Sequence, residues 1–195
     1  MSTRLFDRLV RSESAVNMAN DLPVVVFSHG KESGPNGKKM LALAEVAQQN
    51  QMQIIQPDYR GIEDPVNRIK HLLTEVRDIK GPFLLVGSSM GGYVSIRASR
   101  RLPSLGLFLM SPAIGIKRYP YNKSAPGCKG REVVIIHAWQ DDIVPVQPII
   151  EYSSNYKTQL HLVNSDHRLT GQIPLLCMLF SEFLKQLRKG HNNVQ

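Results

Sequence analysis

The sequence predicts an α/β fold: about six parallel strands in one doubly wound sheet, with helices covering both faces to give three layers. Three observations predict it. Short apolar blocks without polar alternation recur along the chain, as in strands buried on both faces. Stretches with helical spacing alternate with these blocks, as required where each parallel strand returns through a crossover helix. Residues able to do chemistry fall just past the ends of the blocks, where an open parallel sheet binds its ligands.

Leu22 to Ser28 (LPVVVFS) is the first strand. Asn36 to Gln49 follows as an amphipathic helix, with Met40, Leu43 and Ala47 on one stripe. Met52 to Gln56 (MQIIQ) is the second strand, broken by Pro57-Asp58-Tyr59-Arg60-Gly61. Asp64 to Ile79 carries Val66, Ile69, Leu72, Leu73 and Val76 at helical spacing. The later strands are Phe83 to Gly87, Leu105 to Met110, Glu132 to His137 and Gln159 to Asn164, with helices starting near Ser89, Val146 and Gln172. Only Ser111 to Gly130 is a long irregular connection.

A chain of 195 residues suits one domain, taken as 21–190, with residues 1–20 as an N-terminal arm. In that arm Leu5, Phe6, Leu9 and Val10 lie at helical spacing among arginines, so it reads as a docking helix or a poorly ordered end. Asp7 and Glu13 argue against a mitochondrial-type presequence. No segment is apolar over the roughly 20 residues of a membrane span, and no secretory signal opens the chain, so a cytoplasmic protein is expected. Cys128 and Cys177, the only cysteines, lack metal-ligand spacing and read as free thiols. The formal charge of +8 is scattered over the arm, over Arg97, Arg100 and Arg101, and over Lys185, Arg188 and Lys189. Without an aromatic-interleaved basic patch it gives no nucleic-acid site, although it favours anionic substrates mildly. No metal site or phosphate loop is present, since SHGKESGPNGKK lacks P-loop spacing. No cofactor is expected, and a homo-oligomer is left open.

The chemistry centres on Phe83 to Gly92, FLLVGSSMGG, where an apolar run enters Gly-x-Ser-x-Gly at Ser89. A strand that turns this sharply into a helix holds its serine at strained backbone angles, so only small residues fit two positions either side. The turn exposes the hydroxyl at the sheet edge beside the free N–H groups of a helix N-terminus. A serine hydroxyl is a weak nucleophile and needs a base. His167 is the candidate: it lies in a polar loop past the last strand, and imidazole exchanges protons near neutrality. His29 and His137 precede other loops, His71 is on a helix face, His161 inside a strand and His191 in the tail. Asp141 or Asp142, past the fifth strand, would orient the histidine, unless they merely cap the helix that Val144-Pro145 opens. Ser, then Asp, then His is the chain order expected of a triad on such a sheet. Met90 N–H, after the nucleophile, is one expected oxyanion donor.

Four segments, FSHGKESGP, GSSMGG, HAWQDDIVP and NSDHRL, together resemble the α/β-hydrolase superfamily from about Leu22 onward, most closely its small, lidless serine hydrolases. The resemblance implies the minimal fold of that family, with strand order 2-1-3-4-5-6. It implies Asp141 as the triad acid, because the acid opens an Asp-x-x-Val-Pro segment, and Lys31 N–H as the second oxyanion donor. His29 then organises the loop and Gly30 lets backbone approach substrate, and His29, Gly30, Tyr119 and Trp139 are the candidate substrate contacts. Two departures stand out: Ala138 replaces a common glycine, and no insertion for a lid follows the fourth strand. The stretch with Tyr119, Tyr121, Lys117, Arg118 and Lys123, joined by Trp139, reads either as a shallow aromatic wall with cationic edges or as a surface loop. A serine hydrolase acting on a small-molecule ester, thioester or similar acyl substrate is expected. The alternatives are an acyltransferase with the same triad and a non-catalytic interaction protein on this fold.

Overall fold

The computed structural model describes residues 23–117, 119 and 132–192, the side chains of 189–192 excepted. The expectations for the arm 1–20, for Arg118, Tyr121, Lys123 and Cys128, and for the side chains of Lys189 and His191 lie outside the described residues.

Six parallel strands form one sheet in the order β2-β1-β3-β4-β5-β6. They are β1 (Val24–Ser28), β2 (Ile54–Ile55), β3 (Phe83–Ser88), β4 (Ser104–Met110), β5 (Glu132–Ala138) and β6 (Gln159–Val163). The helices are α1 (Lys38–Gln49), α2 (Pro65–Glu75), α3 (Met90–Ala98), α4 (Val146–Tyr156) and α5 (Ile173–Asn192).

Side-chain alternation along the strands splits the apolar residues between two layers. Val24, Val26, Leu85, Leu107, Leu109 and Ile135 pack with α2, α3 and α4. Val25, Phe27, Leu84, Val86, Phe108 and Ile136 pack with α1 and α5, where Phe108 meets the rings of Phe180 and Phe183. Burying β1 and β3 on both faces explains why neither alternates in polarity.

The sheet is wound in two directions from β1, with β2 on one side and β3 on the other. Chains leaving β1 and β3 therefore part at their carboxyl ends and open a crevice there. Ser28 pairs with Gly87, so the two strands end side by side and deliver His29-Gly30 and Ser88-Ser89 to the same rim.

Some elements are shorter than their sequence patterns. Only Ile54 and Ile55 of MQIIQ pair with β1, because the strand lies at the sheet edge and Pro57 has no N–H to extend a ladder. Asp64 caps α2 by accepting from Asn67 N–H at 3.1 Å, with Pro65 in the first turn. The helix ends at Glu75, although Val76 beyond it is still buried in the core. α1 starts at Lys38 after Gly37, two residues later than the pattern suggests.

Candidate active site

Ser89 sits between β3 and α3 at φ 53° and ψ −119°, a conformation most residues avoid. Its N–H is tied to Met110 O at 2.9 Å, and its carbonyl accepts from Gly92 N–H at 2.9 Å and Ala113 N–H at 3.0 Å. These bonds hold the turn in place. A Cβ on Gly91 would stand 1.9 Å from Ser28 O, and one on Gly87 would stand 2.5 Å from Gly91 O. Glycine is thus required by the contact of α3 with the end of β1 as well as by the turn.

Ser89, His167 and Asp141 form one hydrogen-bonded line. Ser89 Oγ donates to His167 Nε2 at 3.0 Å, and His167 Nδ1 donates to Asp141 Oδ2 at 2.7 Å and lies 2.9 Å from Oδ1. His167 is in the loop after β6, and Leu169 follows in the left-handed region at φ 54°. Asp166 fastens that loop by accepting from Arg168 and Leu169 N–H.

The Asp141 side chain is fully buried. Burial alone pushes its carboxyl up, but hydrogen bonds from His167, Val144 N–H at 2.7 Å and Ile143 N–H at 3.0 Å outweigh it and hold the group below its ordinary value. Asp142 is exposed. Neither aspartate caps α4, whose N-cap is Pro145. His137 braces the same loop from beneath: its Nε2 donates to Val144 O at 3.1 Å, and burial lowers its pKa.

His29 is fully enclosed below the rim rather than exposed to a substrate. Its Nδ1 donates to Gly30 O at 2.7 Å and its Nε2 accepts Tyr59 N–H at 2.9 Å, so both ring nitrogens are used. Burial lowers its pKa and favours the neutral ring. Trp139 is 55% exposed and is not among the residues that line the cleft; its backbone N–H donates to Val163 O at 2.9 Å. The expectation that His29 and Trp139 touch substrate is corrected accordingly. Gly30, Lys31 and Tyr119 do line the cleft, and Tyr119 is steadied by the Tyr93 ring of α3 with centroids 5.2 Å apart. A Cβ on Gly30 would lie 3.5 Å from Ser89 Cβ, so the Gly30-Lys31 backbone passes directly beside the serine.

Sequence reasoning missed Arg68 of α2. Its guanidinium is buried, donates to Gly30 O at 3.1 Å, His29 O at 3.3 Å and Ile62 O at 2.7 Å, and lies 5.2 Å from the Tyr59 ring centroid. It anchors the loop that passes Ser89. The missed signal was its place between Pro65 and Ile69, on the buried stripe of α2 rather than its outer face.

The cleft above Ser89 has a volume of about 540 Å³. Met40, Ala113, Ile116, Tyr119, Ile143 and Val144 form its apolar side, and Lys31, Lys38, Lys39 and Arg168 border it elsewhere. Among the described residues no cluster of His, Cys, Asp and Glu is arranged to hold a metal ion. No helix among them is long and apolar enough to cross a membrane.

Residues 24–123 match the family described as Uncharacterised protein family (UPF0227). A crystal structure from Xanthomonas campestris pv. campestris, of a protein assigned to the alpha/beta hydrolase superfamily, is 31% identical, with a TM-score of 0.78 over 84% of this chain and 99% of that one. The chain belongs to UPF0227 and to the α/β-hydrolase superfamily. Among curated proteins, the palmitoyl-protein thioesterase ABHD10, mitochondrial, of Rattus norvegicus is 31% identical over 101 residues, 47% of this chain. That match spans 34% of the relative's length. Est1E from Butyrivibrio proteoclasticus, 19% identical, shares the fold with a TM-score of 0.70 over 87% of this chain and 90% of its own. Membership of the α/β-hydrolase superfamily, shown by the Xanthomonas campestris relative, supports an enzyme of the hydrolase type.

Proposed function

We propose that this member of the α/β-hydrolase superfamily is a serine hydrolase that cleaves an ester or thioester through an acyl-enzyme on Ser89. The observation that carries the reading is the hydrogen-bonded line from Ser89 through His167 to Asp141, opening onto a cleft with an apolar side. The thioester class draws support from the thioesterase named among the relatives.

In acylation, Ser89 Oγ attacks the carbonyl carbon while its proton passes to His167 Nε2. Asp141 stabilises the imidazolium, and its full burial strengthens that effect. The carbonyl oxygen gains negative charge and takes hydrogen bonds from Met90 N–H and Lys31 N–H. Met90 opens α3, where helical N–H groups have no intrahelical acceptor. The tetrahedral species collapses, the alkoxide or thiolate leaves with the proton from His167, and Ser89 remains acylated. Water then attacks the acyl carbon, gives its proton to His167, and the acid departs as Ser89 recovers its own.

The test is hydrolysis of para-nitrophenyl esters and acyl thioesters of graded chain length by the wild-type protein and Ser89→Ala. The wild type turns them over and Ser89→Ala loses on the order of 10⁶ in turnover. A folded Ser89→Ala protein with wild-type rates contradicts the reading.

A further inference from the structure

Among the cations that border the cleft, Lys31 is paired with Glu63 Oε2 at 2.8 Å, whereas Lys39 has no such anion among the described residues. Lys38 and Lys39 occupy the first turn of α1, where the positive end of the helix disfavours cations, and no acidic residue in that turn offsets them. Lys39 Nζ donates to Ser88 Oγ at 3.2 Å, which brings the ammonium beside the residue preceding the nucleophile. That neutral hydroxyl is its one hydrogen-bond partner among the described residues, and none of their carboxylates pairs with it at ion-pair distance. Desolvation lowers the ammonium from its ordinary 10.5 to about 8, although Asp166 and Asp141 pull the other way. Both carboxylates are engaged elsewhere, Asp141 with His167 and Asp166 with backbone N–H groups. A lysine set against a helix dipole, withdrawn from water and left without an anion is costly to keep unless an anion arrives. Arg168, next to the base, borders the same cavity, and Glu32 is the one carboxylate among the lining residues.

We propose that Lys39 is a specificity-determining residue, and that the substrate of this cleft carries an anionic group, borne on either the acyl or the leaving-group side, which Lys39 binds while Ser89 attacks the acyl bond. The inference rests on the reading of Ser89 as nucleophile. Lys39 supplies the charge-assisted hydrogen bond and Met40, Ile116 and Tyr119 supply apolar contact to the rest of the molecule. No covalent step involves the lysine.

Two ester pairs test it near neutral pH. The first is the para-nitrophenyl monoester of adipic acid and its methyl-capped diester, with the charge on the acyl side. The second is para-butyryloxybenzoate and its methyl ester, with the charge on the leaving group. Each anionic-to-neutral ratio of kcat/KM is divided by the same ratio for uncatalysed hydrolysis. The wild type favours the anionic member of at least one pair by about tenfold, mainly through KM, and the favoured pair shows where the anion lies. Lys39→Met and Lys39→Gln lose that preference, and Lys39→Arg, which keeps the charge, retains most of it. A wild type that cleaves the neutral members with no preference in either pair overturns this inference alone. So does a ratio that Lys39→Met and Lys39→Gln both leave intact. A wild type that cleaves none of the four esters and takes no fluorophosphonate label at Ser89 overturns the hydrolase reading and this inference with it.

Discussion

Asp141 and Asp142 are adjacent in sequence and meet different surroundings: the first is enclosed against His167 and two backbone N–H groups, the second faces solvent. Asp141→Asn keeps the shape but removes the charge that stabilises the imidazolium and selects its tautomer, and is expected to lower kcat by about 10⁴. Asp142→Asn stays within about threefold of wild type, since surface changes distant from such bonds have small effects. The two kcat values decide between them, and the reverse order would reassign the acid. Arg68 makes a different prediction, because it acts through the loop it holds. Arg68→Met leaves three carbonyls without their donor and lets the Lys31 N–H drift, so kcat should fall by about 10² while KM changes little, with a stability loss of about 2 kcal/mol. Equal loss in KM and kcat, or none in either, contradicts that role. At this scale Ser89 was legible because a strained turn leaves a local glycine signature, and His167 because it follows a strand in triad order, while the preference for Asp141 over Asp142 came from the resemblance. Arg68 and Lys39 were not. Each sits on a helix whose pattern reads as an ordinary amphipathic face, and their partners are 38 and 49 residues away. Trp139 misled because aromatic character says nothing about which way a side chain leaves a strand.

The strand-turn-helix element around Ser89 is the least tolerant part of the fold. Gly91→Ala would bring a methyl group to 1.9 Å from Ser28 O, against backbone that cannot move aside without disturbing β1. It should cost about 3 kcal/mol or more, or prevent folding, whereas Gly171→Ala, with nothing within 4 Å of the added carbon, stays within about 0.5 kcal/mol of wild type. Urea unfolding of the pair checks this. α1 carries the opposite kind of feature, a start that opposes its own dipole. Lys39→Met should be more stable than wild type at neutral pH by about 1 kcal/mol, since it removes a desolvated cation. The folded pKa of Lys39 is lowered, so the unfolded chain binds more protons between about 8 and 10.5 and wild-type stability rises with pH across that window. The advantage of Lys39→Met should therefore shrink as pH rises towards about 9.5; an advantage that grows contradicts the assigned charge state. Helices and strands were readable where apolar residues repeat over several turns or fill a central strand. Ends were less so: β2 stops after two residues because an edge strand has a partner on one side only, which composition does not record.

For the whole molecule, the doubly wound architecture was legible because alternation of buried strands and helices admits few arrangements, while the strand order came from the resemblance rather than from periodicity. Winding away from β1 brings the loops after β1, β3, β5 and β6 to one rim, where distant residues meet. It also encloses His29 and His137 as neutral rings. Their folded pKa values lie below the unfolded value of 6.5, so below that pH the unfolded chain takes up protons first and stability falls. Asp141, also lowered, extends the loss in the same direction below the ordinary carboxylate range. The urea midpoint should decline steadily from about pH 6.5 to pH 5, before most carboxylates titrate. A midpoint that is flat across that interval contradicts neutral buried histidines. The central claim is that one serine on this rim is activated by the groups the fold brings to it. Its most direct test is mass-spectrometric mapping of a fluorophosphonate adduct on the wild-type protein and on His167→Ala. One label on Ser89, formed far more slowly without the imidazole, is the predicted result; a label on Ser88, or equal labelling of both proteins, contradicts it.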